Sequence, residues 1–350
     1  MPVDSETTDQ SEVLSAETVS RRRLPVNFDQ SHLKLFSHEL EKRIPETRFL
    51  ALHDVRVSYE GILFSGGHML PESFAFPANM KLWRRRSLLK FFASNYLLKR
   101  TRVLEKDVLW ITDDWSDGYF HWLTDVLSRL YVMRARLNEF LLLLPGDYEK
   151  RDFVTSSLRC FGINPSFTKP DDVILCRKLF MPTHTAPSGH YNHEIIRGVR
   201  ALLLEALGYS AEQAGSERVY LSRGKARMRK IANEDGVINL LAESGFQVIY
   251  AEDLSFEQQV ELFSKTRYLV SNHGAGLTNM LFMPEGAALL ELRHQTDATN
   301  NCYFTLASAI GLSYFYQICP PDNDNQDPHS ANLIVDLDAL KLNLALLLKA

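Results

Sequence analysis

The feature that most constrains the fold is a glycine turn between two apolar segments late in the chain. Residues 268–271 and 287–292 have the composition of buried strands, and His-Gly-Ala-Gly at 273–276 leads from the first into a short predicted helix at 277–283. Because glycine carries no side chain, the N–H groups at the start of that helix would be open to an anion. The pattern predicts an α/β domain with a phosphate site at the turn. An ordinary tight strand-to-helix turn is the alternative.

The same turn fits a dinucleotide-binding fingerprint less well. Gly274 and Gly276 match its first two glycines, but Asn279 stands where the third belongs. The turn also comes late, with nothing after it to form a nicotinamide-binding half. A dinucleotide-dependent oxidoreductase is therefore a distant alternative.

A second candidate for phosphate binding lies upstream, in the loop after a predicted strand at 218–222. Loops this basic are usually solvated surface, which is one interpretation here. In the same sheet as the glycine turn, however, the loop could bring a guanidinium to a diphosphate. Its basic residues are Arg223, Lys225, Arg227, Arg229 and Lys230.

A histidine lies in the first turn of another predicted helix, and an aspartate follows about one turn later. This helix spans 119–137 and follows a predicted strand at 107–112. His121 and Asp125 are four residues apart and share one helix face. A helix N-terminus disfavours the charged imidazole, so His121 could accept a proton near neutral pH. Asp125 could orient the ring or be the base itself. A purely structural pair is the alternative.

Composition excludes several classes of protein. The 350 residues are 45% hydrophobic, enough for two domains, and the net charge of −4 argues against a nucleic-acid partner. The four cysteines are widely spaced and predict reduced thiols and no metal site. Residues 322–327 are acidic but lack the glycine and closing glutamate of a calcium loop. With no apolar signal core or membrane-length segment, we predict a cytoplasmic protein.

The order of predicted elements gives the domain limits. Both halves alternate strands and helices, which is typical of α/β domains, and the Pro- and Gly-containing segment 182–189 is the best linker. His184, His190 and His193 in and beyond it are interpreted as linker residues. The predicted parts are a disordered tail (1–25), a first α/β domain (26–187) with a small β layer at 49–70, a second α/β domain (188–330), and a final helix packing back on the first domain (331–350).

Residues 80–102 combine aromatic and basic side chains. Such a segment could lie on an anionic membrane surface or meet an acidic glycan. A packed element with a charged outer face is an equally good interpretation. Its aromatic residues are Trp83, Phe91, Phe92 and Tyr96, and its basic residues include Lys81, Arg84, Arg85, Arg86, Lys90, Lys99 and Arg100.

Taken in order, these segments resemble glycosyltransferase family 61, a group of inverting transferases that also includes capsular-polysaccharide-biosynthesis-like proteins. The resemblance covers roughly residues 105–295. The matching pieces are 119–125 with 127–130, 220–223 with 226–227 and 229–234, 252–256 with Gln259, and 270–279 with Glu291.

The resemblance implies a GT-B-like fold, in which two Rossmann-like domains face a cleft, and a reaction without a metal or other cofactor. The second domain would bind a nucleotide-sugar donor, most often UDP-linked, and the first a glycan or glycolipid acceptor. By position, Glu291 and Asn233 would lie beside the nucleoside or support its loop. The other donor-site residues would be Ser222, Arg223, Arg227, His273, Gly274, Ala275, Gly276 and Asn279.

The function predicted from the sequence is therefore an inverting glycosyltransferase of surface or capsular polysaccharide synthesis. His121 or Asp125 would take the acceptor proton, while Arg223 and the turn after His273 would stabilise the leaving diphosphate. Both clusters would have to face one cleft. The protein would be cytoplasmic, with peripheral contact to the inner face of the membrane through residues 80–102. The alternative is a non-catalytic sugar-nucleotide-binding or assembly subunit.

Overall fold

The computed structural model describes residues 8–82, 85–323, 327 and 330–350. Residues 1–7 of the predicted tail, Trp83 and Arg84 of the basic segment, and residues 324–326 of the acidic loop lie outside them. The described strands are β1 (Thr8–Ser15), β2 (Thr18–Arg21), β3 (Glu41–Ile44), β4 (Thr47–Val57), β5 (Leu63–Ser65), β6 (His68–Met69), β7 (Arg100–Leu104), β8 (Val108–Leu109), β9 (Leu141–Leu144), β10 (Ser166–Phe167), β11 (Asp172–Pro182), β12 (Glu217–Leu221), β13 (Gln247–Ile249), β14 (Thr266–Asn272), β15 (Ala288–His294) and β16 (Ser313–Cys319).

Helices alternate with the strands over most of the chain. A π-helical turn, Ser94–Leu98, continues α2, and another, Trp122–Val126, joins α3 to α4. The described helices are α1 (Leu33–Phe36), α2 (Arg85–Ala93), α3 (Tyr119–His121), α4 (Leu127–Val132), α5 (Asp152–Cys160), α6 (His193–Ala206), α7 (Glu234–Glu243), α8 (Phe256–Ser264), α9 (Cys302–Ile310) and α10 (Leu337–Leu347). No helix within the described ranges is both long and apolar enough to cross a bilayer.

The chain forms two compact units. The first comprises Met1–Thr18 and Pro45–Ser188, and the second comprises Val19–Ile44 and Gly189–Ala350. The change after Ser188 falls inside the predicted linker segment 182–189. The early segment joins the second unit because its backbone bonds to β16: Val26 N–H donates to the carbonyl of Tyr314 at 2.9 Å. Sequence order alone assigned that segment to a tail and to the first domain.

The first unit is built on one mixed sheet in the order β10-β9-β8-β11-β4-β5-β6, with β1 paired to β4 and β7 to β11. Its core contains Val55, Trp110 and Leu179, all nearly inaccessible to solvent. The predicted small β layer at 49–70 is not a separate layer. Strands β4, β5 and β6 are the antiparallel half of this sheet, because β4 also pairs with β11.

The predicted disordered tail is wrong for residues 8–21. Strand β1 pairs antiparallel with β4, with Val13 opposite Arg48, and β2 pairs with β3. A polar segment can form an edge strand because its backbone groups, rather than buried side chains, supply the pairing. The polar composition therefore predicted disorder where the chain forms edge strands.

The second unit has a five-stranded parallel sheet in the order β13-β12-β14-β15-β16. Numbered from β12 along the chain, this order is 2-1-3-4-5, a doubly wound arrangement in which the winding direction reverses between the first and third strands. Tyr220, Val270, Leu290 and Phe315 from four of these strands lie in one buried core. The α/β architecture predicted for this half is confirmed, and the sheet positions the loops after β12 and β14 side by side.

The final helix differs from its predicted packing. The buried side of α10 is formed by Leu340, Leu344 and Leu347, which pack into the core of the second unit with Val237 and Leu290. The amphipathic leucine pattern predicted the helix, but a pattern does not specify which core it covers.

Candidate functional site

The reversal point of the parallel sheet brings the basic loop and the glycine turn together. Ligands of open α/β sheets bind at the carboxyl ends of the strands where the winding reverses. Arg223 follows β12 and Gly274 follows β14, and a Cβ on residue 274 would lie 2.6 Å from the Arg223 Cζ atom. The guanidinium therefore lies directly over the glycine backbone, in space that any larger residue at 274 would occupy.

The charges of Arg223 and Arg229 act on each other, and neither side chain forms an ion pair with a carboxylate among the described residues. The Arg223 Nε–H donates to the Arg229 carbonyl and its Nη2 to the Met228 carbonyl, both at 3.3 Å. Burial lowers the pKa of Arg223, and the nearby Arg229 charge lowers it further. Two guanidiniums that repel each other in a partly desolvated place are suited to an anion with more than one charge.

Arg229 is a residue that sequence reasoning placed in the basic loop but not in the donor site. Its φ is +58°, in the left-handed region that is strained for a bulky side chain, and strain of this kind is concentrated at functional sites. Its Nε is buried and has no hydrogen-bond partner among the described residues. Neither property has a signal in the sequence.

His273 is held at the turn by a buried acid. Its Nδ1 lies 2.5 Å from Glu291 Oε1, and its Nε2 lies 3.0 Å from Asn300 Nδ2. The hydroxyl of Tyr314 donates to Glu291 Oε2 at 2.5 Å. Burial opposes ionisation of Glu291, but the hydrogen bond and charge of His273 and the nearby Arg293 lower its pKa. Because both oxygens of Glu291 are occupied, this geometry favours support of the loop over direct contact with a nucleoside.

Ser222 and Asn233 fix the two ends of the basic loop through hydrogen bonds. The Ser222 hydroxyl donates to Glu234 Oε1 at 2.7 Å and accepts from Gly224 N–H at 3.0 Å. Asn233 directly precedes α7, but its side chain does not cap the helix. It instead donates to the Val335 carbonyl at 2.8 Å and accepts from the Val335 N–H at 2.9 Å. Sequence reasoning did not assign Glu234 to the site.

The remaining predicted donor residues lie in different environments. Asn279 is fully buried and donates to Gln259 Oε1 at 2.8 Å, whereas Arg227 and Ala275 are exposed. The predicted helix at 277–283 is a 3₁₀ helix over Ala275–Phe282. Gly276 allows this helix to pack closely on β12, since a Cβ there would lie 2.8 Å from Leu221 Cδ2. A direct donor contact of each residue stays a prediction.

A second cluster lies in the first unit, where the helical segment 119–132 contains a π turn. The His121 Nδ1 and Asp125 Oδ2 atoms are 2.8 Å apart, and the Ser188 hydroxyl donates to the same carboxylate oxygen at 2.8 Å. Asp125 Oδ1 accepts from Thr124 at 3.2 Å. With the ring held through Nδ1, its Nε2 is the nitrogen left to accept a proton. Ser188 was not predicted, since nothing in a linker sequence indicates this contact.

Behind this cluster lies a buried charge network around Asp113. Its Oδ2 is 3.0 Å from His184 Nε2 and 3.6 Å from Arg129 Nη1. Burial opposes ionisation of Asp113, but His184 and Arg129 lower its pKa to about 2. Asp113 also accepts from the N–H of Trp115, whose ring packs 5.0 Å from that of His121. His184 is therefore a partner of this network and not only a linker residue.

The candidate ligand-binding groups are thus cationic rather than metal-ligating. In the described part of the chain, no group of three or more His, Cys, Asp or Glu side chains is arranged to hold a metal ion. Arg223, Arg229 and the backbone at Gly274 could hold a phosphate or diphosphate.

Comparison with known proteins identifies the family of this region. Residues 119–290 match the family model described as Glycosyltransferase 61. This region belongs to glycosyltransferase family 61. The resemblance predicted from the sequence is thereby confirmed, and the family 61 region contains His121, Asp125, Arg223 and His273 but ends one residue before Glu291.

The curated relatives are similar over part of their length. The chain is 33% identical over 134 residues to the EGF domain-specific O-linked N-acetylglucosamine transferase of Mus musculus, covering 36% of this chain and 25% of that protein. The protein of the same name from Drosophila melanogaster is 32% identical over 148 residues, which cover 40% and 28% of the two chains. The matched part spans about a quarter of these relatives.

Proposed function

We propose that this protein is an inverting glycosyltransferase that uses a nucleotide-sugar donor. The observation that carries the proposal is the pair Arg223 and Arg229 beside Gly274, at the reversal point of the parallel sheet. Within the described part of the chain, neither arginine has a carboxylate as an ion-pair partner. These three residues lie within the family 61 match over residues 119–290, which supports a nucleotide-sugar as the anion that binds here.

The donor diphosphate fits the cationic pair. Binding would replace the repulsion between the two guanidiniums with charge-assisted hydrogen bonds, which are the stronger kind in proteins. Charge grows on the diphosphate as the sugar leaves, so the same groups would hold the transition state more tightly than the ground state. Each well-placed donor of this kind contributes roughly 3 kcal/mol to catalysis.

His121 is our candidate for the general base. Both Asp125 oxygens already accept hydrogen bonds from Thr124, Ser188 or His121, and the carboxylate is nearly buried. The ring of His121 is more accessible and has Nε2 available, so the geometry favours His121 over Asp125. Asp125 would fix the ring and stabilise its protonated form after it takes the acceptor hydroxyl proton.

We also propose which donor and which acceptor the protein uses. The named relatives transfer N-acetylglucosamine to EGF domains, so UDP-N-acetylglucosamine is the first donor to test. For the acceptor we retain a glycan or glycolipid of surface polysaccharide synthesis, with an EGF-domain protein as the comparison. We further propose that the two units have a GT-B arrangement and that the reaction needs no metal ion. The proposed location is the cytoplasm.

A ligand screen followed by a transfer assay tests this function. UDP, GDP, CMP and their sugars are compared by thermal shift, because a ligand of the native state raises the melting temperature. We expect one nucleotide series to stabilise the wild type but not Arg223→Ala, and mass spectrometry to detect a glycosylated acceptor. Equal stabilisation of both proteins would contradict the donor site. Binding without any product would favour the non-catalytic subunit.

A further inference from the structure

A cationic and apolar surface on the first unit has no place in the transfer reaction. Its described part consists of α2, the π turn Ser94–Leu98 and β7, and we call it the basic patch. Residues 73–104 contain eight Lys or Arg and no Asp or Glu. A segment so one-sided in charge within a chain of net charge −4 indicates an anionic partner.

One side of the basic patch is anchored in the unit. Phe64 lies in T-shaped contact with Phe91 at 5.2 Å and with Tyr96 at 5.4 Å between ring centroids. Leu88 and Phe92 pack with Phe91 against a small buried cluster. These contacts fix which side of the helix turns outward.

The outward side carries leucines. Leu89 is 64% exposed, Leu97 79% and Leu98 82%, and the last two are the most exposed large apolar side chains among the described residues. Leu89 lies on α2, and Leu97 and Leu98 are adjacent at the end of the π turn that continues it. Adjacent leucines this exposed, on a surface that is otherwise cationic, are typical of interfacial elements.

The cations around these leucines are only partly neutralised. Lys99 lies 3.9 Å from Glu60, while Arg100 and Arg102 share one buried carboxylate, Asp172, at 3.0 and 3.4 Å. Lys90 is exposed and pairs with no described carboxylate. The patch therefore keeps a net positive charge next to its leucines.

We propose that the basic patch docks on the surface of an anionic lipid bilayer. The leucines would enter the boundary between headgroups and acyl chains, and the cations would meet the headgroup phosphates. An acidic glycan or a nucleic acid would use the cations but would leave Leu97 and Leu98 in water. Lipid is the occupant that uses both kinds of residue. The proposal does not depend on the transferase activity.

Sedimentation of the full chain with vesicles tests the docking. We expect binding to phosphatidylcholine vesicles that contain roughly one-third phosphatidylglycerol, and little binding to pure phosphatidylcholine, because each basic residue near an anionic surface adds about fivefold. The double variant Leu97→Gln/Leu98→Gln should lose about tenfold or more, as each exposed leucine contributes a buried apolar side chain. Lys90→Gln should lose about fivefold and leave a smaller salt dependence.

The matched control uses exposed leucines of another helix. Leu342→Gln/Leu346→Gln changes two exposed leucines of α10 and should bind vesicles like the wild type. Vesicle binding that is unchanged by Leu97→Gln/Leu98→Gln would overturn lipid docking. Release of the protein from the vesicles by heparin would do the same, and would indicate a polyanion as the partner. Wild-type protein that stays in the supernatant with anionic vesicles would also overturn it. Thermal melting of each variant checks that the fold is retained, and transfer to a soluble acceptor should be unchanged.

Discussion

Replacing Gly274 with alanine should remove the Arg223 guanidinium from the donor site without touching Arg223 itself. Residue 274 has a φ of 171°, which is extended backbone that alanine adopts without strain. The added Cβ, however, would lie 2.6 Å from Arg223 Cζ and 3.0 Å from its Cδ. The side chain is flexible, so the guanidinium must move and the backbone need not.

The expected loss of nucleotide affinity follows from the hydrogen bonds that Arg223 makes in the free protein and in the nucleotide complex. In the free protein it makes two long hydrogen bonds to carbonyls, both at 3.3 Å, which together stabilise the fold by about 1 kcal/mol. Toward a diphosphate it would make charge-assisted bonds worth about 1.5–3 kcal/mol each. We therefore expect Gly274→Ala to weaken nucleotide binding by roughly 10- to 150-fold, with a far smaller loss of stability.

Isothermal titration with the nucleotide selected by the thermal-shift screen measures this effect. Gly236→Ala is the matched control, since the three atoms nearest its Cβ would all belong to the Leu337 side chain, with Cδ1 closest at 2.9 Å, and its affinity should equal that of the wild type. The double variant Gly274→Ala/Arg223→Ala should bind no more weakly than Arg223→Ala, because both changes remove one group. Additive losses, or an affinity of Gly274→Ala within twofold of the wild type, would refute the reasoning.

Three further predictions concern catalysis, acid stability and packing. His121→Ala should retain the nucleotide Kd by calorimetry but lose transfer by about 10²- to 10⁴-fold, the usual contribution of a general base; a lost Kd would instead assign His121 to the donor site. Asp113 has a folded pKa of about 2 against 3.8 unfolded, so its stabilisation is full above about pH 4 and falls as the pH drops toward 2. Urea unfolding of the wild type and Asp113→Asn should show their difference in unfolding free energy shrinking by about 1 kcal/mol between pH 6 and pH 3, and a constant difference would contradict the network with His184. Leu340→Ala should cost about 2–5 kcal/mol of unfolding free energy, whereas Leu342→Ala on the exposed side of α10 should change it little; equal losses would contradict the assigned packing.

The parts of the structure that sequence predicted well are those encoded locally. The strand ending at Asn272, the glycines after it and the basic loop from Arg223 lie within short segments, and parallel pairing brings the ends of neighbouring strands to one edge of a sheet. The pairing of His121 with Asp125 follows from helical spacing alone. Each of these features needs only a few consecutive residues.

The features that sequence did not predict depend on contacts between distant segments. Ser188 reaches Asp125 across 63 residues, and His184 meets Asp113 only because β11 ends beside that loop. The left-handed backbone of Arg229 is imposed by its surroundings, since nothing in an arginine favours it. Polar edge strands such as β1 were missed because their pairing is made by backbone atoms.

The early segment bound to β16 has a consequence for biosynthesis. Asn27 hydrogen-bonds to the carbonyl of Tyr316, 289 residues further along the chain. At translation rates of roughly 5–20 residues per second, the segment waits roughly 15–60 s on the ribosome before its partner strand is made. The first unit can fold during that interval, whereas the second closes only near the end of synthesis. A fragment that starts at Gly189 would leave the edge of β16 bare and prone to self-association.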